Sequence, residues 1–149
     1  MSLTKTFCLL GALFLTGSVI ASEIKVVKDE SIAVAGTYVP ATIFDGVVYT
    51  SGQIALDAST GKIVGDEIRA QTRQVLKNLT TVLEASGSSL DHTLKVNVFL
   101  QNPEDFAAMN EVYSEFFGDH VPARTTVPGV MWGKGVLVEI DAIAVVIDD

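Results

Sequence analysis

A long β-strand is predicted by the stretch Val136-Leu137-Val138-Glu139-Ile140-Asp141-Ala142-Ile143-Ala144-Val145-Val146-Ile147. Side chains alternate between the two faces of a strand, so every second residue from Val136 to Ala144 belongs to one uninterrupted apolar face. We expect that face to lie under helices. The other face sets Glu139 and Asp141 among aliphatic neighbours. It is either an ordinary half-exposed sheet face or a face that another subunit covers.

Upstream of this strand, an isolated cation lies in the stretch Pro122-Ala123-Arg124-Thr125-Thr126-Val127. Arg124 is one of three arginines and is the only charged residue between Val121 and Gly133. A guanidinium is costly to desolvate and its planar fork suits a carboxylate, so a partly buried arginine must meet an anion. That anion is either a carboxylate of the next strand, which the residue alone favours, or a ligand. Where another subunit covers the mixed face of the long strand, we expect Glu139 to line a cavity there with Arg124.

The remaining elements are read from turn residues and hydrophobic periodicity. Asp45-Gly46 separates two β-branched runs and is typical of a type I′ hairpin turn. A helical period runs from Asp66 to Gly87, and a second helix starts at residues 102–105 and ends near Gly118. With a strand at residues 93–100 between them, the order predicts an α+β fold with a mixed sheet and two helices on one face. The bare sheet face favours oligomerisation.

The N-terminus has the pattern of a secretory signal. Residues 1–21 contain one charge, Lys5, then an apolar run and a small-residue cleavage site at Val19-Ile20-Ala21. We therefore expect a signal peptide at 1–21, a single domain at 22–149, export to the periplasm or the outside of the cell, and no membrane attachment after cleavage. The one cysteine, Cys8, lies inside this leader.

Charge and motif content exclude several functions. The formal charge is -8, and removing the leader removes Lys5 and no acid, which leaves -9. Such a charge opposes nucleic-acid binding, which depends on cationic contacts to phosphates. His92 and His120 lie in unrelated elements and predict no metal site, and Ser51 lacks the glycine-flanked elbow of a nucleophile. An arginine, a glutamate, hydroxyls and an aromatic remain, a set that can bind a small carboxylate and manage a water.

The chain resembles the reactive intermediate deaminase (Rid, formerly YjgF) family over nearly the whole domain. The segments that carry the resemblance are Gly36-Thr37-Tyr38, Thr50-Ser51-Gly52-Gln53-Ile54, Asn97-Val98-Phe99-Leu100, Asp105-Phe106-Ala107-Ala108-Met109-Asn110, Pro122-Ala123-Arg124-Thr125-Thr126 and Val138-Glu139-Ile140-Asp141-Ala142-Ile143-Ala144. The resemblance implies a chorismate-mutase-like fold and a homotrimer whose sheets form a central barrel. It also implies three sites at subunit interfaces and no cofactor.

The implied activity is hydrolysis of 2-imino acids and their enamine tautomers, such as 2-iminobutanoate and 2-iminopropanoate, to 2-oxo acids and ammonia. By resemblance Arg124 is the substrate-carboxylate clamp and Glu139 positions the attacking water. The other pocket positions that match the family are Tyr38, Ser51, Asn110 and Thr126. The alternative is a small-carboxylate-binding or holdase-like protein on the same trimer without turnover. Endoribonuclease activity, also associated with the family, is disfavoured by the charge.

Overall fold

The central layer of the protein is a seven-stranded sheet, and a computed structural model describes it through residues 23–32, 36–129 and 135–147. The strands are β1 (Lys25–Val27), β2 (Ala41–Phe44), β3 (Val47–Thr50), β4 (Gln53–Ile54), β5 (Leu56–Asp57), β6 (Lys62–Ile63), β7 (Thr93–Leu100), β8 (Ala123–Pro128) and β9 (Val138–Val145). The helices are α1 (Ile68–Ala85) and α2 (Phe106–Phe117), and short 3-10 turns lie at Leu90–His92 and Pro103–Asp105. The predicted α+β architecture with a mixed sheet and two helices is confirmed.

Strand β9 occupies the middle of the sheet. The order is β1-β2-β3-β9-β7-β8, and β4 continues the pairing of β3 along β9, while β5 and β6 form a separate hairpin. All pairs in the large sheet are antiparallel except β7 with β8, which are parallel and make β8 an edge strand. The sheet is mixed because the crossover through α2 brings β8 back to the edge of the sheet, where it runs parallel to β7.

The β2–β3 connection has the backbone that its sequence predicts. Asp45 has a φ of +49° and Gly46 a φ of +72°. A type I′ turn needs positive φ at both central residues, which aspartate tolerates and glycine adopts freely. The predicted hairpin turn is therefore confirmed.

The helices cover one face of β9, as the alternation predicts. The residues Val138, Ile140, Ala142 and Ala144 are 1 % exposed or less. They meet the apolar stripe of α1, whose members Val75, Leu76, Leu79, Val82 and Leu83 are fully buried. The helix starts later than predicted, because the carbonyl of Glu67 rather than Asp66 accepts the first helical hydrogen bond, from Gln71 N–H.

The opposite sheet face retains large apolar side chains in solvent. By alternation and register this face contains Val26, Phe44 and Tyr49, which are 41–47 % exposed, beside Ile143 and Val145. No element within residues 23–32, 36–129 and 135–147 covers it. We call this surface the bare face.

Candidate functional site

Arg124 lies on the helix side of the edge strand β8. Its register partner on β7 is Val96, a fully buried core residue, so both side chains point toward the helices. The guanidinium carbon Cζ lies 4.6 Å from the ring centroid of Tyr113 and 5.7 Å from that of Phe106. Within the described part of the chain, no carboxylate forms an ion pair with Arg124. The described residues therefore do not form the ion pair between Arg124 and a protein carboxylate that was one of the two alternatives.

An open groove of about 530 Å³ lies beside this guanidinium, between the C-terminal half of α2 and the start of β8. Its lining includes Asn110, Tyr113, Ser114, Val121, Pro122 and Arg124. Sequence reasoning named Asn110 and Arg124, and the structure brings them to one groove. Sequence reasoning did not single out Tyr113 for the site, because in the sequence this residue belongs to the aromatic stripe of α2 that is typical of a core.

Tyr113 is almost fully enclosed, with 5 % of its surface exposed. Burial raises the pKa of Tyr113 to about 12, and the positive charge of Arg124 opposes that rise only in part. Its hydroxyl makes no hydrogen bond of full geometry within the described residues, but the Arg124 side chain lies close enough to act on it as a donor. Tyr113 is therefore a neutral phenol at physiological pH.

Glu139 lies on the bare face, away from Arg124. Val96 pairs with both Arg124 and Ala142, so these two side chains lie on the same face of the sheet. Glu139 is three residues before Ala142 on the same strand, and an odd spacing puts its side chain on the opposite face. One protomer therefore does not bring Arg124 and Glu139 together, and their expected cavity beneath a second subunit stays a prediction. The strand alternation that protects the core places these two side chains on opposite sides of the sheet.

A second group of expected site residues gathers around the Glu139 carboxylate. A side chain at Gly52 would collide with that carboxylate, so the absence of a Cβ lets Glu139 pack against the backbone. Gly52 is a site candidate that sequence reasoning passed over, although it stands inside the Ser51-Gly52-Gln53 segment. The Ser51 hydroxyl donates to the Val39 carbonyl at 2.6 Å, which ties this loop to the segment that carries Tyr38.

Tyr38 and Thr126 line two further cavities. Tyr38 is 49 % exposed and lines a cavity of about 40 Å³ with Gly52 and Asn78. Thr126 lies two residues after Arg124 on the same face of β8 and lines an apolar hollow of about 260 Å³ with Phe106. The six expected residues thus form two groups. Arg124, Asn110 and Thr126 lie on the helix side, and Tyr38, Ser51 and Glu139 lie around the β3–β4 connection.

Asp141 is the second carboxylate of the bare face. Asn97 Nδ2 donates to it at 2.7 Å, and Lys95 is nearby. Burial nevertheless raises the pKa of Asp141, since desolvation outweighs the stabilisation that Asn97 and Lys95 provide. This carboxyl is therefore partly desolvated even in the isolated protomer.

Each of the two histidines bonds a nearby protein group, one a side-chain hydroxyl and the other a backbone carbonyl. His92 Nδ1 bonds Ser89 Oγ at 2.8 Å, and His120 Nε2 bonds the Thr93 carbonyl at 2.9 Å. Among the described residues, no three His, Cys, Asp or Glu side chains are grouped as metal ligands. In that same part of the chain, no helix is both long and apolar enough to cross a membrane.

Several known proteins are similar to this chain. A RutC family protein of Pyrococcus horikoshii is 48 % identical over 109 residues, which span 73 % of this chain and 86 % of that protein. The 2-iminobutanoate/2-iminopropanoate deaminase of Rattus norvegicus is 37 % identical over 113 residues, 76 % of this chain and 82 % of the deaminase. Dermatophagoides farinae has a relative of the same name at 40 % identity, covering 74 % of this chain and 87 % of that protein.

Other relatives overturn the expected location. The proteins mmf2 and mmf1 of Schizosaccharomyces pombe, 41 % and 42 % identical over 79 % of this chain, are mitochondrial by name. Relatives this similar thus include proteins of an intracellular compartment, and the expected export to the periplasm or the cell exterior is wrong. The proposed signal peptide at 1–21 lies outside the described residues.

Solved structures match the fold at full domain length. The crystal structure of the YjgF gene product of Escherichia coli has a TM-score of 0.76 and 36 % identity, covering 81 % of this chain and 98 % of that one. Escherichia coli TdcF with bound serine has a TM-score of 0.76 and 35 % identity, covering 81 % and 98 %. The family model described as Endoribonuclease L-PSP matches residues 28–146. This chain therefore belongs to the endoribonuclease L-PSP family, the Rid/YjgF family that its sequence resembles.

Proposed function

We propose that this protein hydrolyses 2-imino acids and their enamine tautomers, 2-iminobutanoate and 2-iminopropanoate among them, to 2-oxo acids and ammonia. The observation that carries the proposal is Arg124, a guanidinium held by aromatic rings at an open groove, without an acidic partner among the described residues. Substrates of this class carry a carboxylate, which a guanidinium grips at two points. The two relatives named as deaminases of these imines support the choice.

The chemistry needs few protein groups. Water adds to the electrophilic C2 of the protonated imine, a proton passes to the nitrogen, and the C–N bond breaks to release ammonia and leave a carbonyl. In the proposal Arg124 fixes the carboxylate, while Glu139 accepts a proton from the attacking water and returns one to the departing ammonia. Tyr38, Ser51, Asn110 and Thr126 complete the pocket, and the reaction uses no cofactor.

The proposed site requires more than one copy of the chain. Since Arg124 and Glu139 lie on opposite faces of one sheet, we propose a homotrimer in which the Arg124 group of one protomer meets the Glu139 group of the next. The apolar bare face, with exposed Val26, Phe44 and Tyr49, gives such an assembly a surface to bury. Light scattering should give three times the chain mass, and a stable monomer would leave the proposed site incomplete.

Non-catalytic binding is the second candidate function. A small-carboxylate-binding or holdase-like protein on the same trimer needs the Arg124 groove and no general base near it. The separation of Arg124 from Glu139 within the protomer favours this alternative. It predicts that wild-type protein binds a 2-oxo acid but leaves the half-life of an imino acid unchanged.

The test compares Arg124→Lys with the wild-type protein on 2-iminopropanoate generated in situ. Lysine keeps the charge but loses the two-point grip, and charge-assisted hydrogen bonds contribute about 1.5–3 kcal/mol each. We expect kcat/KM to fall by about one to three powers of ten with an unchanged melting temperature. Arg73→Lys is the matched control, because Arg73 lies on the exposed side of α1 in an ion pair with Glu115. Normal turnover by Arg124→Lys would refute the assignment.

A further inference from the structure

We infer that Tyr113 is a positioning residue, whose buried ring holds the Arg124 guanidinium toward the groove and leaves its N–H donors available to a substrate carboxylate. The inference deepens the proposed function, because it takes the groove to be a carboxylate site. None of the sequence patterns that point to the site include Tyr113, which reads as core.

The contact between the two side chains has the geometry of a cation–π interaction. Arg124 Cζ lies over the Tyr113 ring at 4.6 Å from its centroid, well within the roughly 6 Å over which such contacts act. Phe106 offers a second ring, but at 5.7 Å and with 43 % of its surface exposed. Tyr113 therefore makes the closer contact, and makes it from a desolvated position where the attraction is stronger.

The ring that holds the guanidinium is itself held by the core. Tyr113 stacks on Phe117 with a centroid separation of 4.3 Å and an interplanar angle of 22°. Met109 and Val112, also on the inner side of α2, are 1 % exposed or less. A ring enclosed in this way has little rotamer freedom, so it can fix the position of a flexible arginine head group. Phe106, the exposed first residue of α2, is less constrained.

A ring suits this task better than a carboxylate. An acidic partner would accept hydrogen bonds from the same N–H groups that must reach the substrate, and it would neutralise the charge. The face of a neutral ring attracts a cation without accepting those hydrogen bonds. Tyr113 stays neutral, since burial raises its pKa to about 12. Its hydroxyl makes no hydrogen bond of full geometry, although the Arg124 side chain lies close enough to oppose that rise, so Tyr113→Phe separates the role of the ring from that of the hydroxyl.

Binding of 2-oxobutanoate to the full chain, measured by titration calorimetry, tests the inference without requiring turnover. Tyr113→Phe keeps the ring and should bind within twofold of wild type. Tyr113→Leu removes the ring, and we expect a 5- to 30-fold higher Kd, about 1–2 kcal/mol. In turnover the same variant should raise KM more than it lowers kcat, because the carboxylate grip acts in both ground and transition states. Phe116→Leu is the matched control, since it removes a half-buried ring of the same helix that does not line the groove, and it should lower stability without changing Kd.

A fluorination series keeps the test decisive if Tyr113→Leu fails to fold. Phenylalanine with one, two or three ring fluorines at position 113 preserves the shape while weakening the negative face of the ring. The Kd should rise with each added fluorine, and a flat series would overturn the inference. Binding of 2-oxobutanoate without imine turnover would overturn the deaminase proposal alone. Absence of binding to wild-type protein would overturn both.

Discussion

Gln71 offers a sharp test of how the end of the β8–β9 connection that leads into β9 is held. The side chain is fully buried in α1, and its amide makes three hydrogen bonds to backbone outside the helix. Nε2 donates to the carbonyls of Gly65 at 3.1 Å and Gly135 at 2.7 Å, and Oε1 accepts from Leu137 N–H at 2.9 Å. One residue thus fastens the approach to α1 and the backbone two residues before Glu139.

The loss of stability that we expect for Gln71→Leu depends on which of the three backbone partners can form a hydrogen bond to water instead. Three hydrogen bonds at about 0.5–1.5 kcal/mol each set an upper limit of about 4.5 kcal/mol. Gly65 and Gly135 are exposed, so their carbonyls can be solvated, whereas Leu137 N–H is half-buried and is left with the larger penalty. We therefore expect the free energy of unfolding to fall by about 2 kcal/mol, a drop of roughly 6–10 °C in the melting temperature of a domain this size.

Thermal unfolding followed by circular dichroism, at equal protein concentration, measures this effect. Gln74→Leu is the matched control, because Gln74 is on the same helix but is half-buried and makes one side-chain hydrogen bond, to Asn78. We expect that control to shift the melting temperature by less than about 3 °C. Equal melting temperatures for the two variants would refute the claim that Gln71 anchors the connection.

Three further predictions concern the bare face and the N-terminus. Asp141→Asn should raise the melting temperature at pH 7. Because the folded-state pKa of Asp141 is raised, its ionised form destabilises the fold above that pKa, and the advantage should vanish as the pH falls toward 3.8; a constant difference from pH 3.5 to 7.5 would contradict this. Gly52→Ala should lower the free energy of unfolding by about 1–3 kcal/mol by displacing the Glu139 carboxylate, and Glu139→Ala in the same chain should recover most of that loss, whereas additive losses would argue against the contact. A chain that starts at Ser22 should melt within about 2 °C of the full chain if residues 22–149 are the folding unit, and a larger loss measured by calorimetry would place part of residues 1–21 in the fold.

The secondary structure could be predicted from the sequence because its signals are local. The Asp45-Gly46 turn needs only two residues with positive φ, and the stripe of α1 and the alternation of β9 repeat within each element. The mixed sheet under two helices then follows from the order of the elements. The same local reading placed the start of α1 too early, since the first helical hydrogen bond forms at Glu67.

The arrangement of the candidate site required tertiary structure, because long-range pairing sets it. The two faces of strand β8 do not differ sharply in hydrophobicity. Only its parallel register with β7 therefore shows that Arg124 lies on the helix side. The packing of α2 then puts the Tyr113 ring under that guanidinium. Glu139 meets Gly52 only because β4 pairs with β9. The sequence by itself determined the helices, the strands and a set of candidate residues, because those signals are local, whereas the side of the sheet that each candidate faces depends on contacts between segments far apart in the chain.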